Sequence, residues 1–217
     1  MRNWFLQRLA PVVLALALGV FATLSLADSR TPEQVVRDTA NTLAERIEGH
    51  QQELASDPPA LYKLVGDVFL PVFDTEYAGR LVLGKYWRTA TPAQQKDFID
   101  AFYEFMLHNY ARYVLQFQKD KVTFLPGLPG APDPRLTVVK TEMVVDGKKL
   151  PVYYSMHQLK DGSWRAFDVR IEGISYVQNY RNQFSAEIGA KGIDAVIARL
   201  RTDAAKLTTS LPDAKGG

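Results

Sequence analysis

Residues 136–171 read LTVVKTEMVVDGKKLPVYYSMHQLKDGSWRAFDVRI. The stretch contains three runs rich in β-forming residues, 136–145, 149–159 and 164–171. Asp146-Gly147 separates the first two runs, and Asp161-Gly162 precedes the third. An Asp-Gly pair between apolar runs is a strong signal for a tight hairpin turn. The stretch therefore predicts an antiparallel meander of three strands, and the short run 122–125 predicts a fourth strand before it.

Helical patterns flank the predicted meander on both sides. Two of them begin with the same signature, Thr31-Pro32-Glu33-Gln34 and Thr91-Pro92-Ala93-Gln94, in which Thr is the N-cap and Gln follows three residues later. Helices are expected over 31–50, 57–70, 74–84, 91–118, 174–190 and 193–206. Because helices segregated from an antiparallel sheet define an α+β fold, we expect one α+β domain over 28–207. A flexible tail is expected over 208–217.

The helix expected over 91–118 is apolar over more of its surface than a surface helix needs. Its two adjacent apolar stripes comprise Phe98, Phe102, Phe105, Tyr113 and Phe117, and Ile99, Tyr103, Met106, Tyr110 and Val114. A surface helix requires one stripe about 100° wide, so this helix is expected to lie between two layers. The chain holds 11 Phe, 10 Tyr and 3 Trp. That composition fits a solid core rich in rings as well as a hollow one.

The first 27 residues have the form of a secretory signal peptide. Arg2 and Arg8 give a basic start, and an uncharged run of apolar and small residues follows from Leu9 to Ala27. Ser25-Leu26-Ala27 places small residues at the two positions that a signal peptidase reads. An uncleaved membrane anchor is the alternative, since the run is nearly long enough to span a bilayer. We expect cleavage after Ala27 and export from the cytoplasm.

Loss of the first 27 residues would leave a chain without net charge. The whole chain has 26 basic and 24 acidic residues, and the segment removes Arg2 and Arg8 but no acidic residue. With no basic excess to neutralise phosphates, nucleic acid is not expected as a partner. The chain contains no Cys, which excludes disulfides, thiolate nucleophiles and Cys-ligated metals. A secreted chain without disulfides suits a bacterial periplasm.

Motifs of catalysis are missing from the sequence. His50, His108 and His157 stand in no metal-ligand spacing and are expected as ordinary surface or boundary residues. No nucleophile elbow, dinucleotide fingerprint or P-loop occurs. Asp168 and Glu172 could serve general acid–base chemistry in a hydrolase, but a hydrogen bond or ion pair to a neighbour is the simpler interpretation of Asp168. We expect no enzyme, no catalytic residue, no metal and no cofactor.

Several unusual segments resemble one family in the same order along the chain. They are Phe69-Leu70-Pro71-Val72-Phe73-Asp74, Tyr77-Ala78-Gly79-Arg80-Leu81-Val82-Leu83-Gly84, Tyr86-Trp87, Thr91-Pro92-Ala93-Gln94-Gln95, Gly147, Trp164-Arg165-Ala166-Phe167-Asp168-Val169, Glu172-Gly173-Ile174-Ser175 and Lys191-Gly192-Ile193-Asp194. Together they resemble the MlaC family, also called the toluene-tolerance family of periplasmic phospholipid-binding proteins. The resemblance covers essentially the whole chain after residue 27.

The resemblance implies a fold, a ligand and a pathway. The fold would be helices packed around a highly curved antiparallel sheet, like nuclear transport factor 2 with added helices, enclosing a hydrophobic cavity for acyl chains. The partners would be a phospholipid, an outer-membrane MlaA–porin complex and the MlaD ring of an inner-membrane ABC transporter. Such a protein would work as a monomer in the periplasm of a Gram-negative bacterium and preserve the lipid asymmetry of the outer membrane. The alternative is a periplasmic adaptor or chaperone with a filled core and no lipid cargo.

The cavity lining is inferred from the alternation of side chains rather than from the family. Val152, Tyr154 and Met156 share one face of their strand, and Phe167, Val169 and Ile171 are expected to alternate in the same way. The helical layer is expected to contribute Phe73, Tyr77, Leu81, Phe102, Phe105 and Met106. For each of these twelve side chains, an ordinary place in the core is the competing interpretation.

Overall fold

The computed structural model describes residues 30–127, 133–145 and 147–209. The predicted signal peptide, Asp146 of the first predicted turn and residues 210–217 of the predicted tail lie outside the described residues. None of the helices in the described ranges combines the length and hydropathy that a bilayer crossing requires.

A five-stranded antiparallel sheet forms one layer of the molecule. Its strands are β1 (Val122–Leu125), β2 (Leu136–Val145), β3 (Lys148–Gln158), β4 (Trp164–Ile171) and β5 (Ile174–Ser175). Each strand pairs with the next along the chain, so the sheet order is β1-β2-β3-β4-β5. The predicted meander and the short strand before it are confirmed. The start of the predicted helix over 174–190 is wrong, because Ile174 and Ser175 pair with β4 before the helix begins.

A β-bulge interrupts the pairing of β3 with β4. Ser155 lies opposite Asp168, whereas Met156 lies opposite Ala166, so Phe167 is an extra residue without a partner. A bulge of this kind shifts the alternation of the strand that carries it. The expectation that Phe167 alternates with Val169 and Ile171 is therefore wrong.

The helices pack around the sheet and against one another. They are α1 (Pro32–Ile47), α2 (Gln51–Ser56), α3 (Pro58–Phe69), α4 (Thr75–Leu83), α5 (Pro92–Tyr110), α6 (Tyr176–Lys191) and α7 (Ile193–Thr209). Short 3₁₀ segments cover Gly84–Arg88, Ala111–Gln116 and Lys119–Lys121. The short helix α2 is not among the predicted helices. The fold class, helices segregated from an antiparallel sheet, is as expected.

The local start signals predicted from the sequence are confirmed. Thr31 and Thr91 both form capping boxes, in which the threonine side chain accepts a bond from the backbone of Gln34 or Gln94 and the glutamine side chain accepts one in return. The end of α5 differs from the prediction. The α-helix stops at Tyr110 and continues as a 3₁₀ segment, at the point where Ala111 is buried against α1, α2 and α3. The change of helix type therefore reflects tertiary packing. No Gly or Pro near Tyr110 marks it in the sequence.

The buried residues form three separate clusters. We call the cluster of α4, α5, α6 and α7 the helical core; the second lies among α1, α2, α3 and the segment that begins at Ala111. The third, the sheet cluster, joins Val35 of α1 to β2, β3 and β4. In the helical core α4 approaches α5 so closely that a Cβ on Gly79 would lie 2.8 Å from Cγ1 of Ile99. A compact domain usually has one continuous core, so the separation into three is informative.

Candidate functional site

One face of the sheet is apolar across all five strands. We call it the inner face and define it by the side of β3 that bears Val152, Tyr154 and Met156. The strand register places four cross-strand rows on it, namely Thr137, Met156 and Ala166; Val139, Tyr154 and Val169; Phe124, Thr141, Val152, Ile171 and Ile174; and Val122, Met143 and Leu150. The polar residues in these rows are Thr137 and the fully buried Thr141. The Thr141 hydroxyl donates to the carbonyl oxygen of Val152 at 2.8 Å and so is satisfied without water.

Exposure is uneven across the inner face, where Thr141 and Val152 are buried but several of their neighbours are not. Met156 is 0% exposed and Ala166 8%, because Val35 of α1 packs on them. Tyr154 of the central strand β3 is only half-buried, and so are Val169 and Ile171 of the adjacent β4. Ile174, at the edge, is 60% exposed. The apolar surface is thus closely covered by α1 near Met156, whereas the part around Tyr154 and the edge at Ile174 lack a complete cover.

Tyr154 shows how the middle of this face is built. Burial raises the pKa of its phenol, and a hydrogen bond with the Thr141 side chain offsets part of that rise. The ring nevertheless keeps part of its surface accessible. Protein therefore surrounds Tyr154 without packing fully against it.

The helical core supplies further half-buried apolar side chains. Phe105 and Met106 of α5 lie at the margin of the helical core, where they are only partly covered. Among the described residues, the backbone of α5 hardly approaches any strand. No buried cluster joins the helical core to the sheet within the described ranges. The helical core therefore approaches the sheet mainly where α4 and α6 lie beside β4, and α1 packs separately on β2 and β4.

The segment before α4 ties the helical layer to the sheet. Phe73 pairs in parallel with Ala166, with the Asp74 amide donating to the Ala166 carbonyl at 2.8 Å and the Ala166 amide donating to Val72 at 2.9 Å. The bridge places Phe73 beside the sheet cluster on the inner face. Asp74 also caps α4, because its Oδ1 accepts a bond from the Tyr77 amide at 2.8 Å. The cap at Asp74 confirms the predicted start of this helix.

Tyr77 and Phe167 lie together on the opposite face of the sheet. The Tyr77 ring stacks on His157 with centroids 4.6 Å apart and meets Phe167 edge-on at 5.1 Å. Nε2 of His157 lies 3.0 Å from Oδ2 of Asp74, and both side chains are mostly buried. The sequence analysis missed this pair, since 83 residues separate its members and only the fold brings them together. Tyr77 and Phe167, two of the predicted lining residues, therefore do not share a surface with Tyr154.

The remaining predicted residues divide between a closed and an open environment. Phe102 is 8% exposed and belongs to the ring stack of the helical core, with Tyr180 at 5.2 Å and Phe184 at 5.7 Å. Leu81 of α4 lines an open cleft beside β4. The inner face thus brings together six of the twelve predicted residues: Phe73, Val152, Tyr154, Met156, Val169 and Ile171.

A tyrosine cluster marks the place where α5 meets the start of α6. The hydroxyls of Tyr110 and Tyr180 lie 3.0 Å apart, and the Tyr110 ring meets the Tyr176 ring at 5.4 Å. Burial and the neighbouring phenols raise the pKa of Tyr110, and burial followed by Tyr110 raises the pKa of Tyr176 to about 12. Tyr113 beside them is 64% exposed. Tyr110 and Tyr113 belong to the predicted apolar stripes, whereas Tyr176 and Tyr180 had no signal in the sequence analysis.

The acidic residues considered for hydrolysis occupy structural positions. Asp168 is 5% exposed, and its Oδ1 accepts a bond from the Val177 amide at 3.0 Å. Its Oδ2 lies 3.7 Å from Nε of Arg170. The simpler interpretation of Asp168 is therefore confirmed. Glu172 is an exposed turn residue with φ of 51°. Within the described ranges no three His, Cys, Asp or Glu side chains come together as a metal site.

Solved structures show the same fold. A phospholipid-binding protein from Ralstonia solanacearum, whose structure was determined in complex with a phospholipid, superposes with a TM-score of 0.74. The two chains are 23% identical, and the match covers 82% of this chain and 99% of the other. At this identity the likeness establishes the fold.

Two relatives match over most of their length, and a family model matches as well. The intermembrane phospholipid transport system binding protein MlaC of Haemophilus influenzae is 22% identical over 210 residues, which is 95% of each chain. The toluene tolerance protein ttg2D of Pseudomonas putida is 26% identical over 183 residues, 83% of each chain. The model of the MlaC protein family matches residues 37–202. With most of the chain matched and the fold in agreement, this protein belongs to the MlaC family.

Proposed function

We propose that the protein is a periplasmic carrier that holds the acyl chains of a glycerophospholipid against the inner face of its sheet. The carrier would move the lipid between an outer-membrane MlaA–porin complex and the MlaD ring of an inner-membrane ABC transporter, and so maintain outer-membrane asymmetry. Its relatives are named as phospholipid transport and phospholipid-binding proteins, which supports binding rather than catalysis.

The observation that carries the proposal is the incomplete cover of the inner face. Large apolar side chains in the middle of a sheet are normally packed to the density of a crystal. Here Tyr154, Val169 and Ile171 keep accessible surface, and the helical core forms a separate cluster. An apolar ligand that lies on the inner face would complete the packing that the protein leaves unfinished.

The energetics of lipid transfer explain why such a surface is needed. A two-chain lipid that leaves a bilayer exposes about 30 methylenes, which at ~0.8 kcal/mol each costs on the order of 20 kcal/mol. Free diffusion through water is then negligible. A carrier must cover most of that apolar surface, and it needs no catalyst to do so. Release then depends on partners that favour the empty form.

Native mass spectrometry of protein purified from the periplasm tests the proposal. We expect a bound glycerophospholipid, and we expect Val169→Trp to lower the bound fraction because the new ring would occupy the inner face. Val138→Trp is the matched control, since Val138 lies in β2 opposite Ser155 on the other face. Protein that always emerges free of lipid would contradict the proposal and favour an adaptor or chaperone. Equal loss of lipid in both variants would contradict the inner face as the site.

A further inference from the structure

A polar cleft lies beside β4, where α4, α6 and β5 meet. Its volume is about 550 Å³, and it opens to solvent. Its lining includes Leu81, Arg170, Ile174, Gln178, Arg181 and Asn182. Ligand pockets commonly have about 300–1,000 Å³, so the cleft has room for a small polar group. The relatives' names and the proposed carrier function leave this cleft unassigned.

The cleft and the apolar rows lie on alternate sides of the same strand. Along β4, Asp168 and Arg170 point to one side, and Val169 and Ile171 point to the other. The two surfaces meet at Ile174, which lines the cleft and also pairs with Ile171. Because β5 has only two residues, a molecule that crosses this edge passes from the apolar surface directly to the polar cleft. The juxtaposition fits an amphipathic ligand.

The charge of the cleft is positive. Arg170 and Arg181 face a single lining carboxylate, Asp168. That carboxylate is already engaged by the Val177 amide and lies 3.7 Å from Arg170. The guanidinium of Arg181 packs over Gly84, where a Cβ would lie 2.7 Å from its Nε, and no ion pair holds it within the described residues. One arginine is thus uncompensated.

The backbone amides of Val177 and Gln178 at the start of α6 do not contribute to the positive charge of the cleft, because both are already hydrogen-bonded. The Val177 and Gln178 amides donate to Asp168 and Ser175, at 3.0 Å each. The donors that remain are side chains, chiefly the two guanidinium groups and the amides of Gln178 and Asn182. Guanidinium groups present a planar fork that matches the oxygens of a phosphate.

We propose that this cleft binds the phosphate ester of a lipid head group, with Arg170 and Arg181 as its ligands, while the acyl chains lie on the inner face. The inference rests on the proposed carrier function. It adds a specificity that the apolar surface alone cannot provide, because acyl chains are shared by phospholipids and uncharged diacylglycerol. A carrier with this cleft would select lipids that bear a phosphate.

A competition experiment tests the selectivity. Delipidated protein is offered equal amounts of phosphatidylglycerol and diacylglycerol with the same acyl chains, and the bound lipids are quantified by mass spectrometry. The unmodified protein should prefer phosphatidylglycerol, and Arg170→Gln with Arg181→Gln should lower that preference about tenfold or more without lowering diacylglycerol uptake. Arg88→Gln is the matched control, because Arg88 is exposed and lies outside the cleft.

Three outcomes would overturn the inference. An unchanged preference in the double variant, with both lipids still bound, would refute the head-group site and leave the carrier function intact. Failure of the unmodified protein to bind either lipid would refute the carrier function itself. Arginine-dependent binding of soluble glycerol 3-phosphate without any effect on lipid preference would show a site for a free phosphate ester instead. If the double variant does not fold, Arg181→Gln alone gives the same test, since Arg181 holds no ion pair among the described residues.

Discussion

The helical core and the inner face of the sheet contain similar apolar residues but bury them to different extents. In the helical core Phe98 and Phe184 are 0% exposed, and their rings meet edge-on at 5.7 Å. On the inner face Tyr154, Val169 and Ile171 remain half-buried. Amino-acid composition alone would not separate the two regions. The difference lies in whether a second layer of the protein reaches the surface.

The comparison indicates a division of roles between the two regions. Tight ring packing in the helical core can stabilise the domain without any ligand. The inner face has apolar area that stabilises the fold only when something covers it. Four predictions test this division, in order of decreasing effect.

The largest effect is expected in the helical core. Phe184 contacts Phe98, Phe102 and Tyr180 through ring pairs, so Phe184→Ala should leave a cavity that the neighbours cannot fill. We expect a loss of about 3–5 kcal/mol in the free energy of unfolding, measured by denaturant titration of delipidated protein. Ile171→Ala on the inner face should cost only about 1 kcal/mol in the same titration, because Ile171 is already half-covered. Equal losses would show that the two regions are packed alike.

Removal of the ligand should have the next largest effect. A ligand that binds only the folded state at a hundred times its Kd adds about 2.7 kcal/mol to the free energy of unfolding. Delipidated protein should therefore unfold at a lower temperature than protein purified with its lipid. Calorimetry of the two forms measures the difference, and addition of lipid vesicles to the delipidated form should restore the higher temperature. Identical melting of the two forms would argue against a ligand that completes the packing.

A larger side chain should be tolerated in one region and rejected in the other. Val196 in the helical core is 0% exposed, so Val196→Trp should overpack it and cost about 1–3 kcal/mol. Val169→Trp should cost less than 1 kcal/mol in delipidated protein, because space remains beside it. Thermal melts of both variants supply the comparison. A greater loss from Val169→Trp would mean that the inner face is already filled.

The smallest effect concerns the tyrosines at the border of the helical core. Burial raises the pKa of Tyr110, and it raises the pKa of Tyr176 to about 12, so the folded state favours the neutral phenols. This contribution is fully present below pH 10, the ordinary tyrosine pKa, and is lost as the pH rises towards 12. The free energy of unfolding should fall between pH 10 and pH 12, and Tyr176→Phe should make that fall shallower. The same slope in Tyr176→Phe would place the titration elsewhere.

Local signals in the sequence predicted much of the fold. The Asp-Gly pairs placed the hairpins, and the Thr-Pro signatures located both capping boxes. Such features depend on neighbours within a few residues, which the sequence displays directly. The end of α5 at Tyr110 depends instead on the burial of Ala111 under other helices. The spacing of apolar residues along the sequence does not reveal that contact.

The placement of the candidate residues on one face was predicted in part for the same reason. Alternation along β3 correctly grouped Val152, Tyr154 and Met156, because side-chain period in a strand follows from geometry. The bulge moved Phe167 to the other face, and a bulge without Gly leaves no clear trace in the sequence. Helical spacing likewise could not show that Phe102 is buried whereas Phe105 is only partly covered. An apolar stripe shows which side of a helix faces the protein, but not how deeply each side chain on it is buried.

The bridge between Phe73 and Ala166 has a further consequence for behaviour in a crowded compartment. A bare strand edge offers unpaired amides and carbonyls that invite another chain to join the sheet. On its outer side β4 pairs with β5 at one end and with the segment at Phe73 near the other. The strand that borders the inner face thus offers little free template for aggregation. A carrier that is empty for part of each cycle, with an apolar face uncovered, would gain from that protection against self-association.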